Sequence, residues 1–345
     1  MNDFRSNHSR RNEFKRNDSK KDDSKKHGFK KHDSKFDSSD PFPDPEFGLT
    51  PSKPTILKKH KPLVAKLTDS IHWYWETLAA TPLQKKWAHT WFTKSSSAQF
   101  LRSVAVFRHF PVSDVPEIAF VGRSNVGKSS LLNALVNADV KSGLARTSKT
   151  PGCTTTLNLY GVGPYDGVRI RKGVSGGYDR IVGVGGMLIV DLPGYGEGSL
   201  QEWGPEIMKY LVNRKQLRRV FVLLDASVGL KETDRSLLAS LRLNGVSHQV
   251  ILSKLDKLFV PEGKEVIRHD MRVKRKAKPV GSTGKLAKMM EEIAAEVKPP
   301  QGAGALGELL SVSSEVSIDG KYMGLDAVRV SMLEAAGVKY IHKKR

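Results

Sequence analysis

Cysteine is almost absent from this 345-residue chain, where Cys153 stands alone. A single thiol excludes an internal disulfide framework and fits a reducing compartment better than secretion. Long apolar runs are missing as well: nothing approaches the ~18 residues that span a bilayer, and the N-terminal stretch has no apolar core of the kind a signal peptide needs. Acidic residues are scarce beside basic ones, 36 Asp and Glu against 57 Lys and Arg, for a formal net charge of +21. An excess of that size points to a polyanionic partner or to basic tails, with nucleic acid ahead of an anionic membrane surface. The 39% apolar content still suffices for a buried core.

What is present divides the chain into regions. Residues 2–36 form a degenerate five-residue repeat (N-D-F-R-S, N-H-S-R-R, N-E-F-K-R, N-D-S-K-K, D-D-S-K-K, H-G-F-K-K, H-D-S-K-F), whose units tend to end in basic residues. Such a polar tract cannot bury enough apolar surface to offset its chain entropy, and it is predicted to be disordered. It reads either as a solvated tail or as an electrostatic arm for RNA. A mitochondrial presequence is basic and poor in acids, whereas residues 1–40 mix twelve Lys and Arg with eight Asp and Glu. Prolines at 41, 43, 45, 51, 54 and 62 mark an extended linker.

Residues 1–50 are thus arm and linker, and residues 51–95 a basic helical extension. Val64, Leu67, Ile71, Trp75 and Leu78 recur at three- and four-residue spacing, which predicts one face of a helix ending before Pro82. Leu83, Trp87 and Trp91 continue the pattern in a second short helix. Ten Lys and Arg against two acids between Lys53 and Arg108 leave three readings for the tryptophans. They serve as a stacking platform for bases, as an interfacial membrane helix, or as packing on their own domain.

From residue 96 onward, short β-branched or apolar runs alternate with helical stretches, the signature of a mostly parallel sheet with helices on both faces. Strands are expected at 117–121, 155–160, 186–191, 219–225, 248–253 and 309–313. Helices are expected at 128–136, 202–213, 232–243, 285–297 and 325–336. The glycine-rich 161–185 and the stretch 259–305, with its basic run M-R-V-K-R-K-A-K, look like insertions and should form surface loops or excursions.

The stretch E-I-A-F-V-G-R-S-N-V-G-K-S-S at 117–130 reads as a strand, a glycine loop and a helix start, the context a phosphate loop requires. Gly122 and Gly127 let the backbone wrap with its N–H groups inward, and the helix aims its positive end at the same spot. Gly122, Arg123, Ser124, Asn125, Val126, Gly127, Lys128, Ser129 and Ser130 then cradle the phosphates. Lys128 reaches the β- and γ-phosphates, and the Ser129 hydroxyl ligates Mg2+. A second element, V-D-L-P-G-Y-G, puts Asp191 at the carboxyl end of a strand, where ligands sit in this class of sheet. Asp191, followed by Leu192, Pro193 and Gly194, can hold the magnesium shell, and Gly194 can offer a backbone N–H to the γ-phosphate.

The third element, I-L-S-K-L-D-K-L, places Ser253, Lys254, Leu255 and Asp256 at another strand end. The Asp256 carboxylate accepts two hydrogen bonds in parallel, matching the N1–H and N2–H2 edge of guanine and not adenine. Lys254 can lay its aliphatic stem on the ring. Farther on, S-V-S-S-E ends a strand, and Val312, Ser313 and Ser314 can cover the base from the other side.

Taken with A-R-T-S-K-T-P-G-C-T-T-T-L-N at 145–158 and the lead-in A-Q-F-L-R-S-V-A-V-F-R-H-F-P, these runs closely resemble the EngB (YihA) family of GTPases, in the TRAFAC class of P-loop proteins. The resemblance spans roughly residues 98–338 and implies a G domain over 96–345, nucleotides GTP and GDP, and a partner in a precursor of the large ribosomal subunit. It also implies that Gly152, Cys153, Thr154, Thr155 and Thr156 form the first switch, with Thr154 a third magnesium ligand beside Ser129 and Asp191. The family usually has Thr at the Ser253 position and a basic or polar residue at that of Cys153, and neither change removes a metal or base ligand. The arm and the two insertions suit a eukaryotic organellar member, so a mitochondrial location is expected, with cytoplasm the alternative. They leave the docking surface open, and a monomer is the expectation.

Many switch GTPases orient the attacking water with a Gln directly after the D-x-x-G glycine, and here that position is Tyr195. Intrinsic hydrolysis is therefore expected to be slow, with Lys128, Thr154 and Gly194 as the catalytic set and a partner or a monovalent cation supplying the rest. Asn125 can offer its side-chain oxygen to K+, or simply bond its own backbone. Arg146 is a further candidate for transition-state charge. A P-loop kinase or ATPase and a non-hydrolysing RNA-binding scaffold are the rival readings.

Overall fold

The computed structural model describes residues 71–137, 144–145, 156–173, 177–195, 204–263, 265–269, 273–298 and 305–340, all within the unit Lys61–Arg345. The chain runs β1 (Trp73–Tyr74), α1 (Pro82–Thr90), β2 (Ser97–Val104), β3 (Val112–Ser113), β4 (Glu117–Gly122), α2 (Lys128–Leu135) and β5 (Leu157–Gly163). Next come β6 (Arg169–Arg171), β7 (Arg180–Val182), β8 (Met187–Asp191), α3 (Gly204–Asn213), β9 (Leu217–Asp225), α4 (Glu232–Leu243) and β10 (His248–Ser253). Then follow β11 (Val266–His269), β12 (Lys274–Lys276), α5 (Thr283–Val297), β13 (Glu308–Ser311), β14 (Val316–Ile318), β15 (Lys321–Tyr322) and α6 (Leu325–Ala335).

Eight strands make the central sheet in the order β1-β13-β10-β9-β4-β8-β5-β2. The five from β13 to β8 are parallel to one another, and β1, β5 and β2 pair antiparallel at the two sides. Runs such as I-A-F-V and V-F-V-L-L are apolar throughout because both faces of these strands are covered. Ala119, Val121, Val190 and Val222 meet α3, α4 and α5 on one face, while Ile118, Phe120, Ile189 and Phe221 meet α1, α2 and α6 on the other. The predicted α/β architecture with helices on both faces is what the chain adopts. After β4 the chain turns to β8 on one side and β9 on the other, so the end of β4 lies at a topological switch point, where such sheets bind ligands.

The helix expected across Ile71, Trp75 and Leu78 is absent: Trp73 pairs with Leu309 and Tyr74 with Glu308, in an antiparallel edge strand. The same residues also carry a two-residue period, and aromatic side chains favour a pleated surface. Ile71, Trp73 and Trp75 pack toward one core, Tyr74 toward the other, and Leu78 is exposed. His72 completes the attachment, its Nδ1 accepting from the Ser311 N–H at 3.1 Å. Burial, aided by Lys85, pushes the imidazole down to about 3, so it stays a neutral acceptor. Val64 and Leu67, like the arm and the proline linker, lie outside the described residues.

The second helix is present as α1, capped by a reciprocal Thr81–Gln84 box. Trp87 and Trp91 pack on the α2–α6 core, which selects the packing reading of the tryptophans. That face has a further tie: Arg329 of α6 donates to the Ala134 and Leu135 carbonyls, closing the C-terminal end of α2.

Both expected insertions are more than surface loops. In 161–185, Val168 and Ile181 are fully buried, and β6 and β7 join β3 in a three-stranded sheet. The glycines are there because the chain folds back on β5: a Cβ on Gly161 would lie 2.3 Å from the Val168 carbonyl oxygen. In 259–305, β12 and β11 join β14 and β15 in a four-stranded sheet, and α5 packs on the central one. Lys274, Arg275 and Lys276 are exposed, as the basic run suggests, while Met271 and Arg272 lie outside the described residues. No helix among the described residues is long and apolar enough to cross a membrane.

Candidate nucleotide site

The phosphate loop leaves β4 at Gly122, where a Cβ would come within 2.8 Å of the Leu223 carbonyl oxygen. It turns through Asn125 (φ 63°) and Gly127 (φ 100°), and α2 begins at Lys128. Positive φ is a glycine conformation that asparagine tolerates, so both residues suit their places. Lys128 is buried, and its Nζ donates to the Gly122 carbonyl at 3.1 Å. Burial lowers its pKa, and the charge on Asp191 opposes that shift. Asp191, at the end of β8, answers in kind: burial raises its carboxyl to about 6 against the pull of Lys128. Its Oδ1 is buried without a hydrogen-bond partner among the described residues. An orphaned carboxylate oxygen facing the start of the phosphate-loop helix through Lys128 is a hard-oxygen donor of the kind that fits Mg2+. Ser129 is half-buried and Ser130 exposed.

Leu192 keeps the line of β8, its N–H bonded to the Phe120 carbonyl at 3.0 Å, and leads through Pro193 to Gly194. A Cβ on Gly194 would meet the Ser124 backbone at 2.8 Å, so the D-x-x-G segment touches the phosphate loop itself. Tyr195 seals the contact by accepting from the Ser124 N–H at 2.8 Å. Its ring is fully buried and its hydroxyl donates to Asp234 at 2.5 Å. Burial first, and then the Asp234 charge, raise the phenol far above its ordinary range. Arg123 reaches the same Asp234 at 3.3 Å and the Gly229 carbonyl at 3.0 Å. Beside these groups opens a cleft of about 610 Å³, lined among others by Asn125, Asp225, Lys231 and Lys254.

The expected first switch lies mostly outside the described residues: Arg146, Gly152, Cys153, Thr154 and Thr155 fall there, and Thr156 is described just before β5. Its upstream anchor is visible, since Asn133 of α2 bonds Ala145 through both N–H and carbonyl at 2.8 and 2.9 Å.

At the other end of the site, the Ser253 hydroxyl donates to the Val126 carbonyl at 2.7 Å, so β10 and the phosphate loop are joined directly. Lys254 takes a left-handed conformation (φ 55°), its Cε 3.9 Å from where a Gly127 Cβ would stand. Its ammonium pairs with Asp225 at 2.9 Å. Leu255 is buried and its N–H bonds the Val312 carbonyl at 3.1 Å. Asp256 is 3% exposed, with Ser313 Oγ on its Oδ1 at 2.7 Å and Arg268 on its Oδ2 at 2.8 Å. The strand expected at 309–313 stops at Ser311 because Ser313 turns its hydroxyl to this carboxylate and accepts the Glu315 and Val316 N–H groups. Ser314 follows, half-buried.

Four contributors went unread in the sequence: Asp225, Asp234, Gly229 and Arg268. Asp225 had a signal, since it ends the apolar run of β9 as Asp191 ends β8. Asp234 reads as an ordinary first-turn acid, and Arg268 sits in a strand of unremarkable alternation.

A glycine loop between strand and helix, a buried lysine facing an aspartate at the next strand end, and a second aspartate at the end of β10 define a P-loop nucleotide-binding protein. The family model described as "50S ribosome-binding GTPase" matches residues 117–254. The "Probable GTP-binding protein EngB" of Mesorhizobium japonicum is 44% identical over 167 residues, 47% of this chain and 71% of its own length. Its namesake from Rhizobium etli is 35% identical over 245 residues, 69% of this chain and 92% of its own. The chain belongs to the EngB family of P-loop GTP-binding proteins, which removes the kinase and ATPase alternatives.

Proposed function

We infer that the protein is a magnesium-dependent GTPase with slow intrinsic turnover, whose nucleotide state times its attachment to a precursor of the large ribosomal subunit in the mitochondrion. The observation that carries the nucleotide half is buried Lys128 facing Asp191, whose Oδ1 has no partner among the described residues. Magnesium would be held by Ser129 and Asp191, with Thr154 joining from the first switch, and would draw charge from the phosphate oxygens during hydrolysis. Lys128 sets a fixed positive charge against the same oxygens, and the Gly194 N–H is available to the γ-phosphate. Asp256 accepts the N1–H and N2–H2 edge of guanine, while Lys254 covers a ring face.

Slow turnover follows from Tyr195. Its hydroxyl is committed to Asp234 inside the core and does not orient an attacking water. A ribosomal partner, or K+ held by Asn125, would supply what is missing. Equal single-turnover rates in potassium and sodium at matched ionic strength would remove Asn125 from that role. No turnover in either ion or with ribosomal subunits would favour the non-hydrolysing scaffold.

The ribosomal half rests on the match to the family of 50S ribosome-binding GTPases and on charge. Arm 2–36 and exposed Lys274, Arg275 and Lys276 would attract rRNA phosphates without reading sequence. Sedimentation with ribosomal subunits tests it: binding should be stronger with GTP than with GDP, and should weaken steeply with salt. Deleting residues 1–50 should flatten the salt slope and leave nucleotide discrimination intact. Indifference to nucleotide would overturn the assembly reading, and import or fractionation of the tagged full chain tests the location.

A further inference from the structure

The carboxylate that reads the base is already engaged by the chain on both oxygens. Ser313 donates to Oδ1 at 2.7 Å and Arg268 to Oδ2 at 2.8 Å, at a residue with 3% exposure. The two partners differ in kind. A carboxylate has about four lone-pair sites, so a hydroxyl on one oxygen leaves room for two donors from a ligand. A guanidinium bond is charge-assisted and roughly twice as strong as a neutral one, and it compensates the charge that makes Asp256 a good acceptor.

Arg268 is also poised to leave. The same Nη1 also donates to Glu315 Oε2 at 3.1 Å, on a side chain that is 61% exposed, so a second anion already shares the guanidinium with the first. The backbone cannot follow: Arg268 is fixed in β11 opposite Val316 of β14 and Arg275 of β12. Arg268 Nη1 bridges both carboxylates at once, so letting go of Asp256 while keeping Glu315 is all that separates a closed base site from an open one.

We propose that Arg268 is a specificity-determining residue of the base site: it competes with guanine for Asp256 and retreats to Glu315 when the base binds. The inference rests on the assignment of Asp256 to guanine. Its consequence is a guanine affinity tuned at the base without altering the phosphate loop. Binding of a base lacking the two donors gains nothing from that release, so the competition acts on guanine affinity alone.

Fluorescent GDP and ADP, with stopped-flow dissociation, test this on the full-length protein. Arg268→Gln should bind GDP about tenfold tighter, with most of the change in slower release, and leave ADP unchanged. Glu315→Gln, at an exposed position where folding is not at stake, should move the other way by about threefold, because Arg268 loses its retreat. A purely structural arginine would not give opposite signs in the two variants. GDP affinity that is unchanged or weaker in Arg268→Gln, or that rises in Glu315→Gln, overturns the competition. Equal GDP and ADP affinities in the unaltered protein overturn the guanine assignment itself, and the competition with it.

Discussion

At the phosphate end, one unbroken stretch from Glu117 to Leu135 supplies strand, loop and helix, and Asp191 and Tyr195 reach it from the neighbouring strand end. At the base end, Lys254 and Asp256 follow β10, Arg268 comes from β11 and Ser313 from the turn before β14, and the three segments meet through side-chain bonds to Asp256 and the pairing of β11 with β14. The phosphate end holds its ligand groups with backbone geometry and a buried charge, which peripheral change leaves alone. The base end depends on one carboxylate with competing partners. If Arg268 competes for Asp256 as proposed, affinity is anchored at the first and adjustable at the second, and three substitutions test how cleanly that division holds.

The largest effect is expected from Lys128→Ala. Removing a buried cation opposite phosphate and Asp191 costs about 2–5 kcal/mol, so GTP and GDP affinities should fall together by roughly 10²-fold or more in titration calorimetry. A loss under tenfold would break the comparison at its stronger side. Asp256→Asn should act on the base alone: an amide offers one donor and one acceptor, so GDP should weaken by about 10- to 100-fold and xanthosine diphosphate should overtake it in competition. If both nucleotides fell equally, the two ends would not be separable. Tyr195→Phe is the mildest. Losing the bond to buried Asp234 should cost about 1–3 kcal/mol of stability in denaturant unfolding. Single-turnover hydrolysis should stay within about twofold, since Tyr195 acts as a strut; a hundredfold drop would make its hydroxyl catalytic.

The same contrast explains what was legible in the sequence. The phosphate loop, Asp191 and the parallel strands are written in contiguous runs, because a strand buried on both faces has to be apolar and a loop that wraps phosphate has to carry glycine at fixed places. Asp256 could be read by the same strand-end logic. Arg268 could not, since its position depends on a register between β11 and β14 set by residues about fifty apart. The segment Ile71–Leu78 misled for a local reason: a three-and-four spacing of large side chains coexisted with strict alternation, and the open edge of β13 decided between them. The inserted stretches misled because glycine-rich and basic composition suggests solvent, while Val168, Ile181 and Val266 carry the chain back into the core.

The cap that Arg329 places on α2 has a bearing on synthesis. The helix that opens with Lys128 and Ser129 ends in carbonyls satisfied by a guanidinium 194 residues further along the chain. As the polypeptide emerges in order, the phosphate loop is made early, and local N–H groups such as that of Asn137 cap part of its helix, but the guanidinium cap waits until α6 has been added and docked. The helix behind the phosphate loop therefore gains its full C-terminal cap only when α6, whose Arg329 is made 194 residues after Leu135, docks against it.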